Sequence, residues 1–267
     1  MSGLGGRTVV ITRAAEDAAA LEALVEARGG RAVRFCTIER QLNEPAAAAR
    51  VWAERARFDR FVIGSAAALE VFRDLEPGPV RVKLACVGAK TAEAVSSDPA
   101  LDRRFEVAEV ATSRRAEGLV AALVAARADE RGRLDGRRFL NPRAPEGRSL
   151  LVDALGALGA EVVPLETYRI DCASPDPGAA ARLEGAWAFT FLSGRTLECF
   201  LLRAGEARGR ALLAGSTVAV IGPVAEAVAD RLGVRVDVVP PTASAEALVE
   251  ALAARAAAEA VAPPRGR

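Results

Sequence analysis

Short apolar runs alternate along the chain with longer stretches whose apolar residues recur at helical spacing. The strand-like runs are residues 9–12, 61–64, 84–87 and 105–110 in the first half of the chain. Residues 139–141, 189–192, 218–221 and 234–239 answer them in the second. Each run is short, apolar on both faces and followed by a turn or cap residue, the pattern of buried parallel strands. Residues 15–28, 66–75 and 244–258 read as amphipathic helices between them. Strands alternating with helices predict an α/β protein, and right-handed crossovers make a doubly wound parallel sheet the default. Residues 262–267 read as a frayed tail.

The pattern also repeats. GGRTVVITRA, beginning at Gly5, matches DGRRFLNPRA, beginning at Asp135, and LEALVEARGGRAVRF matches LLVDALGALGAEVVPL. FDRFVIGSAAALEVF matches AWAFTFLSGRTLECF, pairing Ser65 with Ser193, and ACVGAKTAEAV matches AVIGPVAEAVA, pairing Gly88 with Gly222. FEVAEVATSRRAEGLVAAL matches VRVDVVPPTASAEALVEAL. Five blocks in one order predict two similar lobes with a cleft between them.

Composition narrows the chemistry. The 267 residues carry 36 Lys+Arg against 35 Asp+Glu, with no histidine and a single tyrosine. Histidine-based triads, His-ligated zinc and histidine general bases are therefore excluded. A net charge of +1 and 4% aromatic content give no case for nucleic acid or an anionic membrane. No apolar run is long enough to span a bilayer, and the opening segment has no charged leader followed by an apolar stretch. The four cysteines (Cys36, Cys86, Cys172, Cys199) contain no CxxC pair, so reduced thiols in a cytoplasmic protein are expected. There is no phosphate-binding GxxxxGK[ST] or GxSxG motif, and the glycines at 3–6 precede the first strand instead of following it. Trp52 and Trp187 read as core or lobe-surface residues.

Ligands of such sheets sit beyond the carboxyl ends of the strands. The residues there are Thr12-Arg13, Ser65, Gly88 to Thr91 with Lys90 among them, Thr112-Ser113, Pro142-Arg143, Ser193-Gly194-Arg195, Gly222-Pro223 and Ser244. Hydroxyls dominate. They cap the following helix, and a helix N-terminus also accepts carboxylate or phosphate on its free amides.

The ordered motifs VVITRA, FVIGSAAALEVF, ACVGAKTAEAV, VPLETYRI, FTFLSG and AVIGPVAEAV resemble the uroporphyrinogen-III synthase family over nearly the whole chain. The resemblance implies two lobes, each a parallel sheet flanked by helices, joined by a two-stranded linker, with no metal and no organic cofactor. It implies a swapped arrangement: residues 1–38 with 170–267 in one lobe, 39–169 in the other, and linker strands near 37–43 and 166–172. Cys36 and Cys172 would then lie on neighbouring linker strands as free thiols. Mobile linker strands and a cleft that closes on substrate are expected.

The implied reaction is a cyclising, hydro-lyase conversion of the linear tetrapyrrole hydroxymethylbilane to uroporphyrinogen III with inversion of ring D. A monomer is expected, with no partner beyond this substrate. Loss of the terminal hydroxyl needs a proton donor, and Tyr168 aligns with the tyrosine that the family carries on its second linker strand. Thr91 matches a family threonine beside the cleft. Its counterpart in the second copy is Ala225, where the family often has threonine. Thr12, Arg13, Ser65, Gly88, Lys90, Thr91, Ser193 and Gly222 are the expected substrate-binding residues, with Arg143 and Arg195 as further cations. The chain also departs from the family at Ala14, where members carry TRP, and at Gly194, where they carry Ser-Pro. The rival readings are a non-catalytic bilobal binding or regulatory protein and a two-lobed glycosyl transferase. The transferase would need a nucleotide-phosphate site for which the sequence shows no motif.

Overall fold

The structure, a computed structural model, describes residues 3–113, 116–145 and 150–261. The tail expected at 262–267 lies outside the described residues. From the N-terminus, β1 (Thr8–Ile11), α1 (Ala15–Ala27) and β2 (Arg31–Arg34) lead to linker strand β3 (Ile38–Leu42). There follow α2 (Pro45–Ala53), β4 (Arg60–Ile63), β5 (Val82–Cys86), α3 (Ala89–Ser96), α4 (Pro99–Asp102) and β6 (Phe105–Val110). Next come α5 (Ala116–Arg127), β7 (Arg138–Arg143), α6 (Leu150–Ala157) and β8 (Glu161–Glu166). Linker strand β9 (Tyr168–Cys172) leads back to α7 (Pro177–Ala181), β10 (Ala188–Phe191), α8 (Gly194–Ala204) and α9 (Glu206–Ala214). The chain ends with β11 (Thr217–Val220), α10 (Pro223–Arg231) and α11 (Ala245–Val261).

The chain divides into two units, Met1–Glu39 with Asp171–Arg267, and Arg40–Ile170. The first holds a four-stranded sheet in the order β11-β10-β1-β2, and the second a five-stranded sheet in the order β6-β5-β4-β7-β8. The paired strands in both run parallel. β3 and β9 form a separate two-stranded sheet.

Alternation along each strand distributes the core over both sheet faces. In the first unit Val10, Phe189, Phe191, Val218 and Val220 pack against α7 to α10. Val9, Ile11, Ala188 and Ala219 turn the other way, onto α1 and α11. In the second unit Phe61, Ile63, Leu84 and Phe105 meet α2, α3 and α4, and Val62, Ala85 and Phe139 meet α5 and α6. Trp52 sits in this core, its ring centre 5.5 Å from Phe105 and 5.6 Å from Phe72. Trp187 instead lies part-exposed, donating from Nε1 to Glu259 at 2.9 Å.

Two local expectations change. The run 234–239 is not a strand; it contributes one isolated bridge, Ala219 to Val238. The Asp237 carboxylate accepts from Val218 N at 2.9 Å, taking a donor that a regular ladder would give to a backbone carbonyl. Asp237 N and Val238 N then both turn to Val218 O. Residues 66–75 are not an amphipathic α-helix either. A 3-10 helix covers Ala66–Phe72, with Ala67, Ala68, Leu69, Val71 and Phe72 all buried, so no solvent-facing stripe exists to give helical periodicity. Its repeat counterpart, α8, is a regular helix of 11 residues.

Candidate functional site

In the second unit the candidates gather at the carboxyl edge of β4 and β5. Ser65, separated from β4 by Gly64, caps the 3-10 helix by accepting from Ala67 N at 3.3 Å. Gly88, after β5, is the N-cap of α3 and has no side chain to fill the first-turn amides. The amides of Thr91 and Ala92 return to Gly88 O. Those of Ala89 and Lys90 therefore stand at the positive end of the helix dipole without a capping side chain. Thr91 Oγ1 lies 3.5 Å from Gly64 O, which ties the start of α3 to the turn before Ser65. Asn141, 4% exposed on β7, donates to Val62 O at 2.7 Å and locks the next strand to β4.

Of the four candidate cations, Lys90 alone is exposed with no hydrogen bond or ion pair to a described residue. Arg143 curls onto its own turn, donating to Ala144 O at 3.2 Å and Pro145 O at 3.1 Å. Arg13 pairs with Asp17 at 3.7 Å, and Arg195 with Glu198 at 3.7 Å. Together, Lys90, the α3 amides, Thr91 and Ser65 make an edge suited to a carboxylate-bearing ligand.

The first unit's edge is built differently. Thr12 is wholly buried and donates to Thr190 O at 2.7 Å, so its hydroxyl is turned into the sheet. Ser193 caps α8 by accepting from Thr196 N at 3.2 Å. Gly194 packs against α10, and a Cβ there would stand 2.7 Å from Val228 Cβ. Gly222 caps α10, whose first residue is Pro223 and so lacks an amide donor. Val224 beyond it is 80% exposed and Ala225 2% exposed. The repeat places Lys90 and Thr91 on one edge, and Val224 and Ala225 on the other.

Tyr168 opens β9 and is half-buried. The guanidinium carbon of Arg40, in β3, lies 5.6 Å from the centre of its ring. Arg40 Nη1 donates to Glu70 Oε1 at 3.1 Å. Asn43 N donates to Thr167 O at 3.0 Å, and Ala173 N to Thr37 O at 2.9 Å. Thr37 and Thr167 hold the same place in the two copies, each one residue before its linker strand. Thr37 Oγ1 donates between Thr12 O at 2.9 Å and Thr196 O at 3.0 Å. Thr167 is 1% exposed, and its hydroxyl meets no hydrogen-bond partner among the described residues.

The cysteines do not follow expectation. Cys172, at the end of β9, is bonded to Cys199 of α8, with a Cα separation of 5.1 Å. Only Cys36 and Cys86 are free thiols. The pairing arises because the end of β9 lies against α8, a juxtaposition that no local spacing encodes. Burial raises the pKa of both free thiols, that of Cys86 to about 12, with the Glu109 carboxylate adding to the effect there. Arg40, Glu70 and Thr37 did not stand out in the sequence. A charged residue inside a linker strand was the available signal for Arg40.

A repeated parallel α/β unit, a two-stranded linker, and strand ends furnished with helix amides and hydroxyls define a two-unit α/β protein. Among the described residues no cluster of His, Cys, Asp or Glu is arranged to hold a metal ion, and no helix is long and apolar enough to cross a membrane. The chain belongs to the uroporphyrinogen-III synthase family: residues 19–250 match the family described as Uroporphyrinogen-III synthase HemD. A Methanothermobacter thermautotrophicus protein named "Putative uroporphyrinogen-III synthase" is 28% identical over 228 residues, covering 81% of this chain and 86% of its own. The crystal structure of uroporphyrinogen-III synthetase from Helicobacter pylori has a TM-score of 0.59 at 15% identity, covering 91% of this chain and 96% of its own. That of uroporphyrinogen III synthase from Thermus thermophilus has a TM-score of 0.43 at 22% identity, covering 96% of this chain and 100% of its own. The Helicobacter pylori structure shows the shared fold.

Proposed function

We propose that this protein is a uroporphyrinogen-III synthase, a cyclising lyase that closes hydroxymethylbilane with inversion of ring D. The observation that carries the reading is the family match over residues 19–250. The chemistry on hand supports it. The substrate's acetate and propionate groups suit an edge made of the Ala89 and Lys90 amides, the Lys90 ammonium and the hydroxyls of Thr91 and Ser65. In the first unit, Thr12 helps hold β1 to β10 through its buried bond to Thr190 O, and Arg13, Ser193 and Gly222 shape the carboxyl end of that unit's own sheet.

Tyr168 is the proton donor in this reading. Its phenol protonates the terminal hydroxyl, water leaves, and the resulting azafulvene is attacked by the substituted carbon of ring D. The spiro intermediate fragments and recloses with that ring inverted. Unassisted closure gives the uninverted isomer, so the protein acts chiefly by placing the substituted carbon in attacking position. A phenol is a modest acid, adequate for a substrate that is already reactive.

The test is direct: freshly generated hydroxymethylbilane is supplied and the ratio of type III to type I product measured. Predominant type III supports the synthase. Type I alone leaves a binding protein of the same fold, a reading that Ala225 favours because the chain lacks the hydroxyl that the family often carries at that position. Tyr168→Phe is scored by both rate and isomer, and wild-type values for both remove the acid role.

A further inference from the structure

Tyr168 lies against a cation that the reaction described above does not use. The Arg40 side chain is 13% exposed, so little water screens its charge from the ring 5.6 Å away. Glu70, which accepts from Arg40 Nη1 at 3.1 Å, belongs to the 3-10 helix that Ser65 caps. The bonds of Asn43 to Thr167 and of Ala173 to Thr37 set β3 antiparallel to β9. In that register Leu42 stands opposite Tyr168, and Arg40 lies one diagonal step away on the same face, within reach of a long side chain.

We propose that Arg40 is the positioning residue for Tyr168, an inference that rests on the proton-donor reading of that tyrosine. The planar guanidinium holds the plane of the ring, and Glu70 holds the guanidinium. As the phenol gives its proton to the substrate's hydroxyl oxygen, the carbon–oxygen bond breaks and its electron pair leaves with water. The pyrrole nitrogen lone pair then fills the vacancy at that carbon. The phenolate left behind is stabilised by the neighbouring cation more than the neutral phenol is. It recovers a proton when the closing ring loses hydrogen from its free carbon, so one water departs and the tyrosine is restored. Arg40 acts only through Tyr168.

Steady-state kinetics of Arg40→Gln, Tyr168→Phe and the double variant on freshly generated hydroxymethylbilane test this. Arg40→Gln is expected to lower kcat about tenfold and leave KM within about twofold. In the Tyr168→Phe background the same substitution changes kcat by less than about twofold, since a residue acting through another has nothing left to act on. Equal losses in both backgrounds, or a wild-type kcat for Arg40→Gln, overturn the proposal and leave the tyrosine's role intact. A wild-type kcat for Tyr168→Phe overturns the donor reading and this inference with it. Should Arg40→Gln not fold, Glu70→Gln, which releases the guanidinium from its anchor, passes through the same cycle with the same outcomes.

Discussion

The hydroxyl of Thr37 donates to the carbonyl of Thr196 at 3.0 Å, joining the residue before β3 to the first turn of α8. Thr12 O stands 2.9 Å from the same hydroxyl, so one hydrogen serves two carbonyls inside a fully buried pocket of threonines. The repeat counterpart, Thr167, is as deeply buried, and its hydroxyl has no hydrogen-bond partner among the described residues. The two copies therefore make opposite predictions. Thr37→Val lowers the unfolding free energy by about 1–3 kcal/mol, because two carbonyls lose their donor. Thr167→Val changes it by less than about 1 kcal/mol, in the stabilising direction, because it removes a buried hydroxyl without a partner. Denaturant unfolding of both variants checks the pair, and equal losses contradict the contrast.

The bond between Cys172 and Cys199 closes a loop with a sequence separation of 27, and loop-closure entropy for that length amounts to about 3.5 kcal/mol. Reduction is expected to lower thermal stability by that order while leaving the strands of the second unit paired. Thiol labelling counts the same chemistry. The native protein labels at half-buried Cys36, denaturation adds Cys86, and denaturation with reductant releases all four. Four labelled thiols in the unreduced, denatured protein show that the bond is not formed.

Cys86 gives an alkaline signature. Its folded pKa, raised by burial and by Glu109 to about 12, lies above the ordinary thiol value of 9.0. The folded state thus holds the proton more tightly than the unfolded chain does. This contribution is complete below pH 9 and is lost as pH rises toward 12. Unfolding free energy measured between those limits falls more steeply in the wild type than in Cys86→Ala. Parallel curves contradict the assignment.

Ala225 offers a test of what the missing threonine means. Its side chain is 2% exposed within the core shared by α8, α10 and β11. Ala225→Thr adds a hydroxyl and a methyl at a buried core position, and a loss of about 1–3 kcal/mol in stability is expected without a gain in kcat. A rise in kcat or in the type III fraction shows that the position opens to substrate.

The central strands were readable because burial on both faces leaves no polar position to break the apolar run. Phe61, Val62 and Ile63 are each wholly buried. Edge strands are harder: β2 is RAVR and β8 is EVVPLE, and the polar residues at their ends hide the pairing with β1 and β7. Residues 234–239 failed for the reverse reason. They are apolar enough for a strand, but Asp237 spends its carboxylate on the Val218 amide and breaks the ladder. Among the candidate residues, strand-end position located Ser65, Gly88 and Lys90 correctly at an edge. It could not say that Thr12 points inward, since that depends on Thr190 lying one strand away. The Cys172–Cys199 bond and the stacking of Arg40 on Tyr168 are tertiary juxtapositions that the local pattern does not carry.

The order of strands in the first sheet has a consequence for synthesis. β1 lies between β2 and β10, with Val9 beside Ala188, so a central strand is made well before its second neighbour, with the whole of Arg40–Ile170 synthesised in between. At roughly 5–20 residues per second, β1 waits on the order of ten seconds or more for β10 to emerge. Arg40–Ile170 is one uninterrupted stretch and completes its own sheet during that interval. A nascent chain arrested before β10 would carry a finished second unit and an open, apolar β1 edge. That edge is the surface a chaperone or a neighbouring nascent chain would meet first.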